Sequence, residues 1–294
     1  MATLFLLAAA RFGEAAKLAP APPSSDASLI SLIFDIVLLR GKLITLCVMC
    51  GYALFVALKV RALGPRNAFW GVSFVRTLLG AFGGGIVVPI CLGMPPGPMA
   101  NDMVVTAALV GWYIAQRSPG DLGFRVLGPS GLPTARLLVL LAFETFRANF
   151  VISMTDLAAR TLKPSLFATP LWGPLLCGAM AGSFGNFLPF DKGLAPIDKG
   201  FSWPMISAFS IAALYLALMH EPTIGPAIWA ACAPSFERSA ETCRVGAVAF
   251  LCTVGVLQET LMGPSWHPLQ PLTALLSAVV PPVVAESPTK AKAS

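Results

Sequence analysis

Residues 73–93, SFVRTLLGAFGGGIVVPICLG, decide how this chain is read. About 20 apolar residues, each rising about 1.5 Å along a helix, cross a hydrocarbon core of about 30 Å, and this stretch is long and apolar enough to do so. Its middle is nevertheless Gly83-Gly84-Gly85, with Pro89 one turn later. Glycine and proline are the poorest helix formers. A broken helix persists in a bilayer only where protein or a water-filled cavity satisfies the freed backbone groups. Two readings are open from this segment alone. One is a helix bent toward a pore or binding site, and the other is a row of small residues that lets a second helix pack closely.

Composition supports a membrane setting. Hydrophobic residues make up 56% of the 294 and charged residues 12%, against roughly 45–50% and about 25% in soluble domains. Mean hydropathy is +0.77. The reading is an all-α polytopic membrane protein. The net charge of +6 comes from basic residues scattered between apolar runs, a pattern of loop anchors and headgroup contacts rather than a nucleic-acid surface. Most of the 7 cysteines lie in or beside apolar runs and read as reduced, small hydrophobic residues. Cys47 and Cys50 form a CxxC, but neither a second cluster nor a nearby histidine completes a zinc site.

Working outward, residues 1–42 read as an N-terminal tail and interfacial segment, 43–263 as a transmembrane domain and 264–294 as a C-terminal tail. Residues 29–39 are too short to span, and lie at the interface or extend the next helix. Seven spans are expected, at about 43–60, 73–93, 101–115, 135–158, 171–190, 203–219 and 245–262. The fourth carries Glu144 and Arg147, three residues apart and so on one helix face. Ionisable groups at membrane depth are costly and face a bundle interior or a wet cavity. The pair therefore either locks helix packing or faces lipid or ions. Glu259 near the end of the seventh span reads as a packing or rim charge.

The fifth span carries Gly178, Gly182 and Gly185, with Ser183 and Asn186 beside the last two. The second and fifth spans thus hold the middle places of two consecutive triplets, and both are interrupted by glycines. A duplicated triplet must be inverted in the membrane, and paired broken helices point to a substrate or ion path between the halves. The expected architecture is two inverted three-helix repeats plus a seventh helix. The pore-lining candidates are Gly83, Gly84, Gly85, Gly182, Ser183, Gly185 and Asn186. Kinks expose backbone carbonyls, and Ser183 and Asn186 add side-chain oxygens that could replace cation hydration. By the positive-inside rule, Lys59, Arg61, Arg66, Arg117, Arg125, Lys192 and Lys199 place one face, and the C-terminus, in the cytosol.

The second and third spans, GAFGGGIVVPICLGMPPGPMANDMVVTAALVGWYIAQRSPGDL, resemble the trimeric intracellular cation (TRIC) channels in Pro95-Pro96, Asn101, Trp112-Tyr113 and Pro119-Gly120-Asp121-Leu122. LLVLLAFETFRANFV resembles the family's fourth span, and Trp172 with Gly182-Ser183-Phe184-Gly185 its fifth. The resemblance implies a homotrimer with one pore per protomer. It implies flow of K+ and other monovalent cations across the endoplasmic or sarcoplasmic reticulum as counter-ion to Ca2+ release. It also implies a phosphoinositide lipid near Glu144 and Arg147, and no other cofactor. The chain departs from the family at Phe143, where a lysine usually precedes the glutamate, and at Ala181.

Two other classes compete. A secondary transporter can also be built from inverted triplets. Gly128-Pro129-Ser130-Gly131 matches the GxSG of rhomboid proteases, and Ser130 with His220 could carry acyl transfer, though four-residue matches with two glycines are common by chance.

Overall fold

The computed structural model describes residues 29–63, 69–167, 169–187, 193, 197, 200–232, 237–263 and 265–271. The expected N-terminal tail up to 28, the end of the fifth span at 188–190, and Arg66, Lys192 and Lys199 lie outside them. All regular structure among the described residues is helical. Helix α1 is Leu29–Val37 and α2 is Lys42–Leu63. The second span is α3, Trp70–Phe82, followed by α4, Gly84–Cys91. A short α5, Gly97–Ala100, leads into α6, Asp102–Arg117. Helix α7 is Leu122–Leu127, α8 is Pro133–Thr161, and α9, Trp172–Ser183, ends in a 3-10 turn, Phe184–Phe187. Helix α10 is Trp203–Met219, α11 is Ile224–Cys232, and α12, Ala240–Leu257, closes in a π turn, Gln258–Met262.

Three helices are long and apolar enough to cross a membrane: α2, α8 and the continuous Ala240–Met262. Two bent pairs qualify if each counts as one span, α3 with α4 at 59° and α10 with α11 at 104°. This is an integral membrane protein. Two expected spans are shorter than a full crossing, since α6 has 16 residues and α9 has 12 before its 3-10 turn. Helix α1 does not extend α2: the chain turns through Leu39 (φ 53°) and Gly41 (φ 90°) between them. Leu29, Leu32, Ile33, Phe34 and Ile36 stay exposed on α1.

Helix α2 is the central post, packing on α3, α6 and α8. The approach to α6 is closest at Gly111, where a Cβ would lie 2.5 Å from the backbone N of Leu54. Helix α8 plays the same part for α9, α10 and α12. The α2–α8 contact joins the two triplets; a Cβ at Gly51 would meet the Cβ of Ala142 at 2.6 Å. Arg61 pins one membrane face: it donates to Ala115 O at 2.6 Å, pairs with Asp121 at 2.9 Å and stacks on Phe124. At the opposite face, Asn101 Oδ1 accepts from Met103 N at 3.0 Å and caps α6. Replacing a capping Asn by Ala costs about 1 kcal/mol. Asn101→Ala is therefore expected to lower thermal stability in detergent by a few degrees with the helical circular dichroism intact.

Candidate functional site

The two glycine-broken spans meet at their breaks. Helix α3 packs on the 3-10 turn Phe184–Phe187, while α4 packs on α9. The half before each break thus touches the half after the other, so the two spans run antiparallel. Gly83 keeps helical dihedrals (φ −59°, ψ −37°) and its N–H still bonds Leu79 O at 2.8 Å, yet the axis turns there by 59°. The bend lets backbone reach backbone. A Cβ at Gly84 would sit 2.6 Å from Ala181 Cα, and one at Gly185 would sit 2.5 Å from Gly80 O. The ring of Phe184 occupies the space beside Gly83.

The remaining two predicted glycines face elsewhere. Gly182 looks toward Val151 of α8 and Ala208 of α10, and Gly85 toward the ring of Phe150 on α8. Gly83, Gly84, Gly85, Gly182 and Ser183 are buried, whereas Gly185 and Asn186 are half-buried. Pro89 has no N–H, so the carbonyl of Gly85 loses its partner within the helix; that oxygen faces Gly97, whose Cβ would lie 2.9 Å away. Ser183 spends its proton on Ala179 O at 2.6 Å, and Asn186 spends an amide N–H on Ser183 O at 3.0 Å. Both side-chain oxygens then remain able to accept. Ser183 and Asn186 thus each keep a neutral side-chain acceptor beside the crossing, while the Gly85 carbonyl faces Gly97.

Glu144 and Arg147 form a buried ion pair on α8. Arg147 Nε donates to Glu144 Oε2 at 2.8 Å, and Nη2 lies 2.7 Å from the same oxygen. The side chains are 1% and 6% exposed, so the pair lies inside the protomer, between α8 and the neighbouring helices. Nη1 is 3.5 Å from Pro204 O, and Nη2 is close to Glu144 but not aligned for a hydrogen bond. Tyr52, which the sequence reading passed over, and Lys59, which it read only as a loop charge, complete the surroundings. Tyr52 stacks on Phe143 at 5.1 Å between ring centroids, and Lys59 holds its ammonium 4.6 Å over Phe55 and 5.6 Å over Phe143. Phe143, Phe146 and Phe150 share one face of α8, and Phe146 also packs on Phe82 beside the break. Their helical spacing was the available signal. This aromatic wall ties the ion pair to the bent span.

The Ser130–His220 pairing fails on distance. Ser130 is exposed in the turn before α8, while His220 contacts Asp156 near the far end of that helix. Pro133 and Asp156 are about 35 Å apart at helical rise. Glu259, read as a packing or rim charge, pairs with Arg136 at the start of α8.

The fold and the crossing define a helical membrane protein organised around a bent span that runs antiparallel to a helix ending in a 3-10 turn. No protein-family profile matches the chain, and no curated protein matches it by sequence. Among solved structures, it superposes on a C. elegans trimeric intracellular cation channel without Ca2+ (TM-score 0.59, 17% identity, covering 78% of this chain and 97% of that one). It also superposes on the C. elegans channel with bound Ca2+ (0.57, 15%, 80% and 99%). A third match is a structure of TRIC counter-ion channels in calcium release (0.54, 19%, 72% and 91%). The chain has the TRIC channel fold, the family its second and third spans resemble.

Proposed function

We propose that this protein is a TRIC-type channel for monovalent cations, carrying mainly K+, rather than an enzyme. It works as a homotrimer with a pore in each protomer, in an intracellular membrane such as the endoplasmic or sarcoplasmic reticulum. There its current offsets the charge moved by Ca2+ release. The antiparallel crossing of α3–α4 with α9 and its 3-10 turn is the observation that carries this reading. It supports two inverted three-helix repeats, α2 to α6 and α8 to α10, with α12 as the seventh helix. Gly83, Gly84, Gly85, Gly182, Ser183, Gly185 and Asn186 are the pore candidates, with Ser183, Asn186 and the Gly85 carbonyl supplying oxygen.

A phosphoinositide headgroup near Glu144 and Arg147 is the second part of the proposal. Arg147 Nη2 is 2.7 Å from Glu144 Oε2 without the alignment of a hydrogen bond, and arginine binds phosphate well. Lys59 reaches over Phe143 from α2, which brings an ammonium to the place where α8 itself has a phenyl ring.

Purified protein in planar bilayers tests the function. Discrete unitary K+ currents with a shallow voltage dependence are expected, because few charges can move and each contributes about 2.3 kcal/mol per 100 mV. Saturable, coupled transport without unitary steps would overturn the channel reading in favour of a transporter.

A further inference from the structure

A polar corner lies where α8, α10 and α12 come together at one membrane face. Asp156 of α8 is its hub. One carboxylate oxygen, Oδ1, takes the Tyr215 hydroxyl at 3.0 Å and His220 Nε2 at 3.1 Å. The other, Oδ2, takes Arg160 Nε at 2.9 Å. Tyr215 is buried, and its ring meets that of His220 edge-on. An ionised carboxylate only accepts, so the His220 nitrogen facing it must carry the proton.

His220 also sits at a mechanical position. It caps α10, with its N–H on Leu216 O at 2.9 Å, and Glu221 N returns to the same carbonyl at 3.1 Å. The chain then bends by 104° into α11. The other charged groups around the corner are engaged or set back. Glu221 accepts from Thr223 at 3.0 Å, Arg238 donates to Leu218 O at 2.8 Å, and Arg244 of α12 reaches Ser153 at 3.4 Å. Arg244 and Cys243 are near enough to Tyr215 to act on its hydroxyl electrostatically. Asp156 is thus the acid that His220 contacts, and histidine is the side chain whose charge changes between about pH 5 and 8.

We propose that His220 makes this corner a proton-sensitive latch. The imidazolium form clamps the α10–α11 bend to Asp156 by an ion pair as well as a hydrogen bond, and the neutral form keeps the hydrogen bond alone, so the bend opens more readily as pH rises. The bond to the carboxylate is charge-assisted in both forms; protonation adds the attraction of opposite charges, and the His220 side chain is only 24% exposed, which limits screening. Helix α8 links the corner to the aromatic wall and so to the crossing. An effect on cation flow rests on the channel reading; the corner's own response does not.

The test is amide hydrogen exchange on the purified full-length protein at about pH 5.5 and about pH 7.5, corrected for the intrinsic rate. Protection of residues 217–224 should be at least about fivefold greater at the lower pH in wild type and in H267Q, which removes the other of the 2 histidines. It should be independent of pH in H220Q and in D156N. An unchanged pH response in H220Q, or none in wild type, overturns the latch. If H220Q does not fold, the two histidine resonances of wild type, assigned with H267Q, decide the matter. The His220 resonance must titrate in step with the exchange of 217–224, and titration with flat exchange overturns the proposal. A normal exchange response in protein that passes no cations would count against the channel reading alone.

Discussion

Gly84→Ala is expected to cut K+ conductance at least about tenfold and to lower thermal stability. The new methyl group would lie 2.6 Å from Ala181 Cα and 2.8 Å from Met180 O. These are backbone atoms that cannot rotate aside, so one span must move. Overpacking of this kind costs about 1–3 kcal/mol. Gly185→Ala meets Gly80 O from the opposite side of the same crossing. The double variant should therefore cost less than the sum of the two singles, since either one forces the spans apart. Gly246→Ala is the control: its Cβ meets nothing within 4 Å, and the helix should gain about 0.5–1 kcal/mol. Thermal unfolding in detergent and bilayer conductance of the four variants check the set.

Glu144→Gln should be the most destabilising single change in α8. It strands a guanidinium that is 1% exposed and that cannot shed its proton. Breaking a buried pair from one side costs about 3–5 kcal/mol. Arg147→Met should cost less, because a stranded carboxyl group can take up a proton while a guanidinium cannot lose one. The double variant Glu144→Leu/Arg147→Met should recover most of the loss, since a well-packed apolar pair of similar volume is often neutral or better. If the pair only locks α8 in place, that variant should also conduct normally. If Arg147 holds a phosphoinositide, its conductance should lose any response to added lipid headgroup. Unfolding midpoints and currents with and without the lipid separate the two.

Much of this was legible in the chain because membranes restrict what backbone can do. Gly83-Gly84-Gly85 and Gly182 to Gly185 announced two interrupted helices, and their matching places announced that they would be paired. The sequence could not say what the glycines touch. Gly84 and Gly185 serve the crossing, whereas Gly182 and Gly85 receive α10 and α8, and only three-dimensional packing separates these roles. Glu144 and Arg147 were legible as a pair from their spacing. Tyr52 was missed and Lys59 was read only as a loop charge, because both approach from α2, about 90 positions earlier, and nothing in local spacing announces a stacked ring. The Asp156–His220 contact was hidden for the same reason. His220 drew notice only through a chance GxSG match, and the length of α8 removes that pairing. The turn at Leu39 also escaped notice, since a leucine in the left-handed region carries no signal of its own.

The central claim is that the crossing of the two broken spans lines the ion path. Its most direct test is cysteine substitution at Ser183 and Asn186 in a background lacking the exposed Cys47 and Cys91. A small, positively charged methanethiosulfonate is applied during recording. The account predicts irreversible loss of current in Ser183→Cys and Asn186→Cys, slowed by high K+, with the background protein unaffected. Full current and unmodified thiols at both positions would contradict it and would leave the glycines as close-packing contacts alone.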